Sequence, residues 1–591
     1  MTDDDLLDSW QAQWPAALAL WSRFTKLTDP RWCVTKAREQ EEGLTGSFAM
    51  IRFADHAVVV SLRTVEALGL GDLALEILAH EIGHHVYAPG DLGDHGRMLA
   101  RMRFGLPGME ARAPMVANMY TDLLINDRLQ RTAGLRMDEI YRRLRDGGKE
   151  ARLWTLYMRI YERLWSLAPG SLTSAPRDEF LDLDAGLGAR LIRVYAKEWL
   201  DGSGRFAALC LPYLLEDTAD VKKHAAVFQD TRKAGVGGEV PGGLATEEGD
   251  EADGAIHPRS DPALGGVADE ELDANGPSGG KGQSRRKKKP PEPRQPQQRS
   301  PSDFREILKS MGITLTPEEA AIRYYRDRAL PHLVPFPRMP RPQSGEPMPE
   351  GLETWELGAP LDDVDWLQSV IASPVVVPGF TTVQRTWGSA DGAGQDRRPL
   401  DLYIGVDCSG SMDDPQKVLS FPVLAGTILV LSALRAGAQV MVVLSGEPGK
   451  YTATRGFVSD EREILSILTG YLGTGYTFGI PRLAETFGSA EPNRPPAHVL
   501  LVTDNDIFQM LGGPDGRVGD RSGWEVAREA LVNARGGGTM VLHSLGDWRG
   551  KEKSRLAEDG WTIHCIIGWE DIVAFAAAFA RATYDTTFPK G

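Results

Sequence analysis

Leu400-Asp-Leu-Tyr-Ile-Gly-Val-Asp407-Cys-Ser-Gly-Ser-Met412 is an apolar run of strand length that stops on a carboxylate and opens into a loop of hydroxyls and glycine. Val, Ile and Tyr fit a pleated, buried surface, and a short apolar run closed by a Gly/Ser turn reads as a strand inside a sheet. Similar runs return at Gln439-Val-Met-Val-Val-Leu444, Val499-Leu-Leu-Val502, Met540-Val-Leu-His543 and Ile563 to Ile567. Helical stretches separate them, at Val418 to Leu434 and Glu525 to Ala534. Short strands alternating with helices predict a parallel, doubly wound (Rossmann-like) α/β sheet over 391–591, with helices on both faces. The Val418 stretch contains Ser420, Pro422, Gly426, Thr427 and Ser432 and falls short of a membrane span, so it reads as a buried helix.

Upstream, 302–390 reads as a bridging segment, with a helix around Pro317 to Arg326 followed by the irregular Val334-Pro-Phe-Pro-Arg-Met-Pro340. Over 233–301 the composition turns to Gly, Pro, Ser and acid, then to Arg285-Arg-Lys-Lys-Lys289 and a Pro/Gln tract. A stretch with so little to bury predicts a disordered linker, and its basic pentad reads as a solvated linker segment. The first 232 residues are mainly helical by apolar spacing: Trp10 to Thr25, Asp72 to Val86, Pro114 to Arg131, Met137 to Arg145, Arg152 to Leu167 and Phe180 to Leu200. One short β segment interrupts them, Ser47 to Phe53 and Ala57 to Leu62.

A chain of 591 residues exceeds what one core organises, and 42% hydrophobic with 25% charged residues is the balance of a globular, multidomain protein. The formal charge of -16 repels phosphate backbones, which argues against nucleic acid as a partner. Cys33, Cys210, Cys408 and Cys565 are too widely spaced for CxxC chemistry, and the acidic Met1-Thr-Asp-Asp-Asp start lacks the basic-then-apolar order of a secretion signal. Both features predict a cytoplasmic protein without a membrane span.

Asp407-Cys-Ser-Gly-Ser411 stands where the carboxyl end of a strand meets a loop, the place where open α/β sheets bind ligands. A carboxylate and two hydroxyls at alternate positions offer hard oxygen donors suited to Mg²⁺ or Mn²⁺. Gly473-Thr-Gly-Tyr-Thr-Phe478 and Val502-Thr-Asp-Asn-Asp506 also fall at strand or loop ends. In this order the three pieces resemble the metal-ion-dependent adhesion site of von Willebrand factor A (VWA) domains, over roughly Leu400 to Ala582. The resemblance implies that Asp407, Ser409 and Ser411 form the first ligand group and Thr477 supplies the hydroxyl of the second loop, with Thr474 its rival. It makes Asp504 the distal carboxylate, acting through water; Thr503-Asp504-Asn505 departs from the frequent Thr-Asp-Gly. Such a site leaves one coordination position for a partner's Asp or Glu, so it implies binding to another protein.

The helix from Asp72 carries His80-Glu81-Ile-Gly-His84-His85. Histidines four residues apart share a helix face and can grip one zinc ion, with Glu81 placed to take a proton from bound water. This HExxH helix resembles that of the zincin metallopeptidases. The metzincin spacing fails, because Gly90 occupies the place of the third histidine. Asn118, Asp122 and Asn126 share a face of the next strong helix, and Asp122 is the expected third zinc ligand, with His95 and Asp127 as substitutes. His85 is expected to pack or to support the site from behind.

Together the helical domain, the linker and the carboxy-terminal domain resemble bacterial metallopeptidase-type proteins with a VWA-like domain, whose relatives work beside MoxR-type AAA+ ATPases. Tyr324-Tyr-Arg-Asp-Arg-Ala-Leu-Pro331 and Val377-Pro-Gly-Phe-Thr-Thr382 resemble connecting segments of that group. No Gly-x-x-x-x-Gly-Lys-Ser/Thr loop occurs, so such an ATPase would be another chain. The resemblance implies a zinc metallopeptidase coupled to a magnesium-dependent adhesion domain. The competing reading is a non-enzymatic assembly or metal-insertion adaptor with an idle zincin-like domain.

Overall fold

Apolar spacing forms most of the amino-terminal helices, and the glycines decide how closely some of them pack. The computed structural model describes residues 3–22, 24–44, 47–145, 150–216, 235–248, 251–264, 299–340, 348–388, 397–446, 450–475, 478–491, 494–544 and 550–587. The chain divides into two compact units, the first made of Met1–Pro331 with Asp413–Ser420 and Thr469–Tyr471, the second of the remainder.

In the first unit the described helices up to residue 216 are α1 (Asp3–Trp21), α2 (Lys36–Glu41), α3 (Leu62–Ala67), α4 (Ala74–Val86), α5 (Leu92–Gly105), α6 (Ala113–Ala133), α7 (Met137–Leu144), α8 (Arg152–Leu164), α9 (Glu179–Val194) and α10 (Trp199–Glu216). α1 begins seven residues before the expected Trp10 because Leu6 extends the buried stripe of Trp10, Trp14 and Ala17. Three strands, β1 (Arg31–Cys33), β2 (Ala49–Arg52) and β3 (Ala57–Ser61), form a sheet in the order β1-β3-β2, with β1 parallel and β2 antiparallel to β3. α4 packs on α1, on α6 and on β2.

α5 and α10 were not expected. Both contain glycines, which weaken an isolated helix but here allow close packing: a Cβ on Gly105 would lie 2.6 Å from the Gly204 carbonyl oxygen. The linker expected over 233–301 is corrected in its described parts, 235–248, 251–264 and 299–301. Leu244, Ala245 and Leu264 are buried. The nearby acids have partners: Glu251 pairs with Arg299 at 2.7 Å, Asp261 with Arg205 at 2.6 Å and Glu248 with Arg101 at 2.8 Å. Composition alone made these carboxylates look solvated, because their arginines are distant in sequence. The acidic run 269–273 and the basic run 285–289 lie outside the described residues.

The bridge expected over 302–390 divides in the same way. Helices Pro301–Ser310 and Pro317–Ala329 bury Phe304, Ile307, Tyr324 and Tyr325 and belong to the first unit.

The second unit adds β4 (Arg338–Pro340), β5 (Met348–Thr354), β6 (Val383–Gly388), β7 (Arg397–Pro399), β8 (Asp401–Asp407), β9 (Val440–Ser445), β10 (Tyr451–Ala453), β11 (Ala497–Asp504), β12 (Arg535–His543) and β13 (Trp561–Cys565). β4 pairs with β7 and β5 with β6, both antiparallel. The main sheet runs β10-β9-β8-β11-β12-β13. It is mixed rather than wholly parallel: β10 is antiparallel to β9, since the few residues joining them allow a hairpin and no crossover. The other neighbours are parallel.

Tyr403, Val499 and Leu501 pack with Val526, Ala530 and Leu531 of helix Gly523–Ala534 on one face. The alternate residues Leu402, Ile404, Leu500 and Val502 are equally buried and face the other side, where helix Phe421–Arg435 lies against β8, β9, β11 and β12. β8 and β11 are neighbours, but the chain leaves β8 toward β9 on one side and β11 toward β12 on the other. That reversal opens a crevice at the carboxyl ends of β8 and β11, at Asp407 and Asp504. Among the described residues no helix is long and apolar enough to cross a membrane.

Candidate metal centres

α4 is held by its apolar face, with Ile77, Leu78, Ala79 and Ile82 buried, and by the Trp21 indole donating to the Ala79 carbonyl at 2.7 Å. Gly83, inside the His-Glu-x-x-His stretch, sets its distance from α6. A Cβ there would lie 2.6 Å from both Ile125 Cγ2 and Trp21 Cζ2, so only glycine admits this approach. The approach brings Asp122 of α6 to the two histidines.

His80 Nε2 and His84 Nε2 are 3.2 Å apart, and Asp122 Oδ1 lies 3.6 Å from the first and 3.4 Å from the second. Four donors about 2.0–2.1 Å from a tetrahedral zinc would be separated by roughly 3.4 Å, so this triangle has the size of one face of a zinc site. His84 is fully buried, and Asp122 Oδ1 is a buried oxygen without a hydrogen-bond partner. Both facts are what a cation between the three atoms would require. Among the described residues this is the one group of three or more His, Cys, Asp or Glu placed to hold a metal.

The atoms turned away from the triangle are engaged. His80 Nδ1 donates to Asn126 Oδ1 at 2.7 Å and His84 Nδ1 to the Ala88 carbonyl at 3.2 Å, an arrangement in which both Nε2 atoms could bind a cation. Asn126 Nδ2 donates to the Tyr141 and Tyr161 hydroxyls at 2.9 and 2.8 Å. These two and Tyr157 form a triangle of hydroxyls 3.0 to 3.2 Å apart, and Tyr157 donates to Asp122 Oδ2 at 3.4 Å, which also accepts from Asn118 Nδ2 at 3.1 Å. Burial pushes all three phenols well above their ordinary pKa, so they stay protonated donors. Donation therefore runs one way, from His80 through Asn126 and the tyrosines to Asp122, and links two ligands from behind. Burial also pushes the His80 imidazole down to about 4, against the opposing pull of the Asp122 carboxylate, so the ring is neutral at pH 7, as a ligand must be.

The expected residues separate accordingly. Asp122 joins the histidines; the substitutes His95 and Asp127 do not. Asp127 pairs with Arg131 at 3.4 Å. His95 is fully buried with both ring nitrogens lacking hydrogen-bond partners, and burial, with His84 adding to it, pushes its pKa down to about 4. His85 packs on His56 with ring centroids 4.4 Å apart. Glu81 is 1% exposed. The Asn118-Asp122-Asn126 face was visible in the sequence, whereas the support of Asn126 by Tyr141 and Tyr161 and of Asp122 by Tyr157 was not.

In the second unit the crevice holds Asp407, 2% exposed, whose Oδ2 accepts from Thr503 Oγ1 at 2.7 Å and whose Oδ1 accepts from the Ser409 amide at 2.9 Å. Ser409 Oγ and Ser411 Oγ are 3.0 Å apart, close to the roughly 2.9 Å between adjacent ligands of an octahedral ion with bonds of about 2.05 Å. Asp504 Oδ1 accepts from the Asp506 amide at 2.8 Å. Thr477 lies outside the described residues. Its rival Thr474 is held at the site: the Gly410 amide donates to the Thr474 carbonyl at 2.7 Å, and Ser409 and Thr474 pair as a parallel bridge. Ser409, Ser411, Thr474 and Asp506 line an open cavity of about 830 Å³, with Phe508 and Gln509 on its wall.

Comparison with known proteins assigns no family. No protein-family model matches the chain, and no curated protein or solved structure is significantly similar to it. Chemistry at the two sites therefore carries the functional reading.

Proposed function

We propose that this chain is a zinc-dependent peptide hydrolase with a VWA-type second unit that engages a protein partner through Mg²⁺ or Mn²⁺. The observation that carries the reading is the His80, His84 and Asp122 triangle, with sides of 3.2, 3.4 and 3.6 Å. Zinc bound there would polarise a peptide carbonyl and lower the pKa of its bound water. Glu81 would serve as the base toward a water activated there and would return the proton to the leaving amine. Asn126 fixes the orientation of His80, and Asn118 and Tyr157 fix that of Asp122. In the second unit Asp407, Ser409 and Ser411, with Thr477 or its rival Thr474 and with Asp504 acting through water, would hold the harder cation, and a partner's carboxylate would be its further ligand. A MoxR-type AAA+ ATPase or its client is the partner that suits this arrangement.

One observation favours the alternative of a non-enzymatic assembly or metal-insertion adaptor. Glu81 and His84 are essentially inaccessible, and the His80 and Asp122 side chains are only 13% and 10% exposed, so a peptide reaches the site only after some opening. Zinc content and peptide cleavage separate the two readings. Hydrolysis predicts about one zinc per chain, lost in His84→Ala, and cleavage abolished in Glu81→Gln while zinc is retained. Zinc retained without any Glu81-dependent cleavage would establish the adaptor, and a zinc-free wild type would sink both. For the second unit, Asp407→Ala should weaken Mg²⁺-dependent capture of the ATPase by at least tenfold; capture unchanged in chelator would refute the metal bridge.

A further inference from the structure

The stretch from Glu350 to Trp387 is held together by a small set of buried groups. Trp355, Val364, Ser369 and Thr382 are its buried centre. The Trp355 amide donates to the Thr382 carbonyl at 2.8 Å, the Trp355 indole to the Pro360 carbonyl at 3.1 Å, and the Val383 amide to Ser369 Oγ at 2.9 Å. Asp365 caps helix Trp366–Ala372 and pairs with Arg385 at 2.7 Å. β5 and β6 form its ribbon.

This small frame displays apolar side chains outward. Eleven large ones are exposed within it, including Phe380 at 86% and Leu357 at 77%. Trp366, Leu367, Val370 and Ile371 recur at one- and four-residue steps and so form one face of the short helix. The chain then turns through Val375 and Val377 to Phe380, and Gly379 lies against Leu357, whose Cγ would be 2.8 Å from an added Cβ. Scattered exposed apolar residues need no explanation, but a face this dense on so small a frame marks an interaction site.

Charge selects the occupant. The same stretch carries Glu350, Glu353, Glu356, Asp362, Asp363 and Asp365 against the single base Arg385, which is already paired. A second copy would bring two such acidic rims together, and an anionic lipid surface would be repelled in the same way. We propose that helix Trp366–Ala372 and the loop to Phe380 dock a partner protein's amphipathic helix, apolar on one face and bearing Lys or Arg beside it. This docking surface is independent of both metal sites.

The test uses the full chain and two labelled 18-residue helical peptides, one of Leu and Lys in an amphipathic repeat, the other with Glu for Lys. The Lys peptide should bind saturably and at least tenfold more tightly than the Glu peptide, as read by fluorescence anisotropy. Leu367→Ser/Ile371→Ser/Phe380→Ser leaves net charge unchanged and alters only exposed side chains. It should weaken the Lys peptide at least tenfold with an unaltered far-ultraviolet spectrum. Equal binding by that variant, or by the Glu peptide, would overturn the proposal. A concentration-dependent dimer abolished by the triple variant would make a second copy the occupant, and variant-sensitive binding to phosphatidylserine vesicles would make it a lipid surface; either result overturns it too.

Discussion

The two candidate metal sites are built on opposite principles. In the first unit the donors are imidazole nitrogens and a carboxylate on two packed helices, buried and locked from behind by Asn126 and three tyrosines. In the second the candidate donors are carboxylates at strand ends and hydroxyls on a loop beside an open cavity, and Asp407 accepts from Thr503 and from the Ser409 amide. A borderline-soft ion held by a preformed cage exchanges slowly, whereas a hard ion on an open loop keeps positions for water or a partner's carboxylate. The difference suits a resident metal in one site and a metal completed by a partner in the other.

Acid should break this comparison most strongly. The first site and its surroundings contain neutral imidazoles, His80 and His95 both pushed down to about 4 by burial, while the proposed donors of the second are carboxylate and hydroxyl oxygens. A histidine whose pKa falls on folding contributes stability that is fully present above its unfolded value near 6.5 and is lost as pH falls through the folded value. The His95 ring then accounts for roughly 3 kcal/mol between pH 7 and pH 4. Urea unfolding of the zinc-free chain should show a loss over this window that His95→Phe reduces by about that amount. An identical pH slope in the variant would show that His95 is not held neutral.

Gly83→Ala probes the cage without touching a ligand. Its methyl would enter the space of Ile125 and Trp21, and overpacking of this kind costs roughly 2–3 kcal/mol. The expected outcome is a lower urea midpoint together with weaker zinc retention, and unchanged Mg²⁺ binding by the second unit. Normal zinc retention would mean that the α4 to α6 distance does not set the site.

Asn126→Ala is the mildest change and the sharpest test of support from behind. Removing the acceptor of His80 should weaken zinc about 10- to 100-fold in chelator competition, the usual cost of losing such a partner. An affinity equal to wild type would reduce the tyrosine network to packing.

Much of the fold was legible because its signals are local. The run from Leu402 to Val406, the helical spacing around His80 and His84, and the Asn118-Asp122-Asn126 face are properties of single elements with periods of 2 and 3.6. The failures were those of context. The helices Leu92–Gly105 and Trp199–Glu216 were not read from the sequence, and their Gly105 and Gly204 form a helix contact. Glu251 and Asp261 looked like linker charges and proved to be ion-pair partners of Arg299 and Arg205.

By itself the sequence determined which elements form and which donor atoms share a helix face or a loop, because these follow from steric preference and side-chain spacing along one stretch of chain. Only the tertiary structure decided that Asp122, and not His95 or Asp127, closes the triangle with His80 and His84. It alone placed Tyr141, Tyr157 and Tyr161 behind two of those ligands, and Thr503 behind Asp407. Distances between elements are set by which side chains fill the space between them, as Gly83 does by leaving that space to Ile125 and Trp21, and such packing has no signature in any single segment.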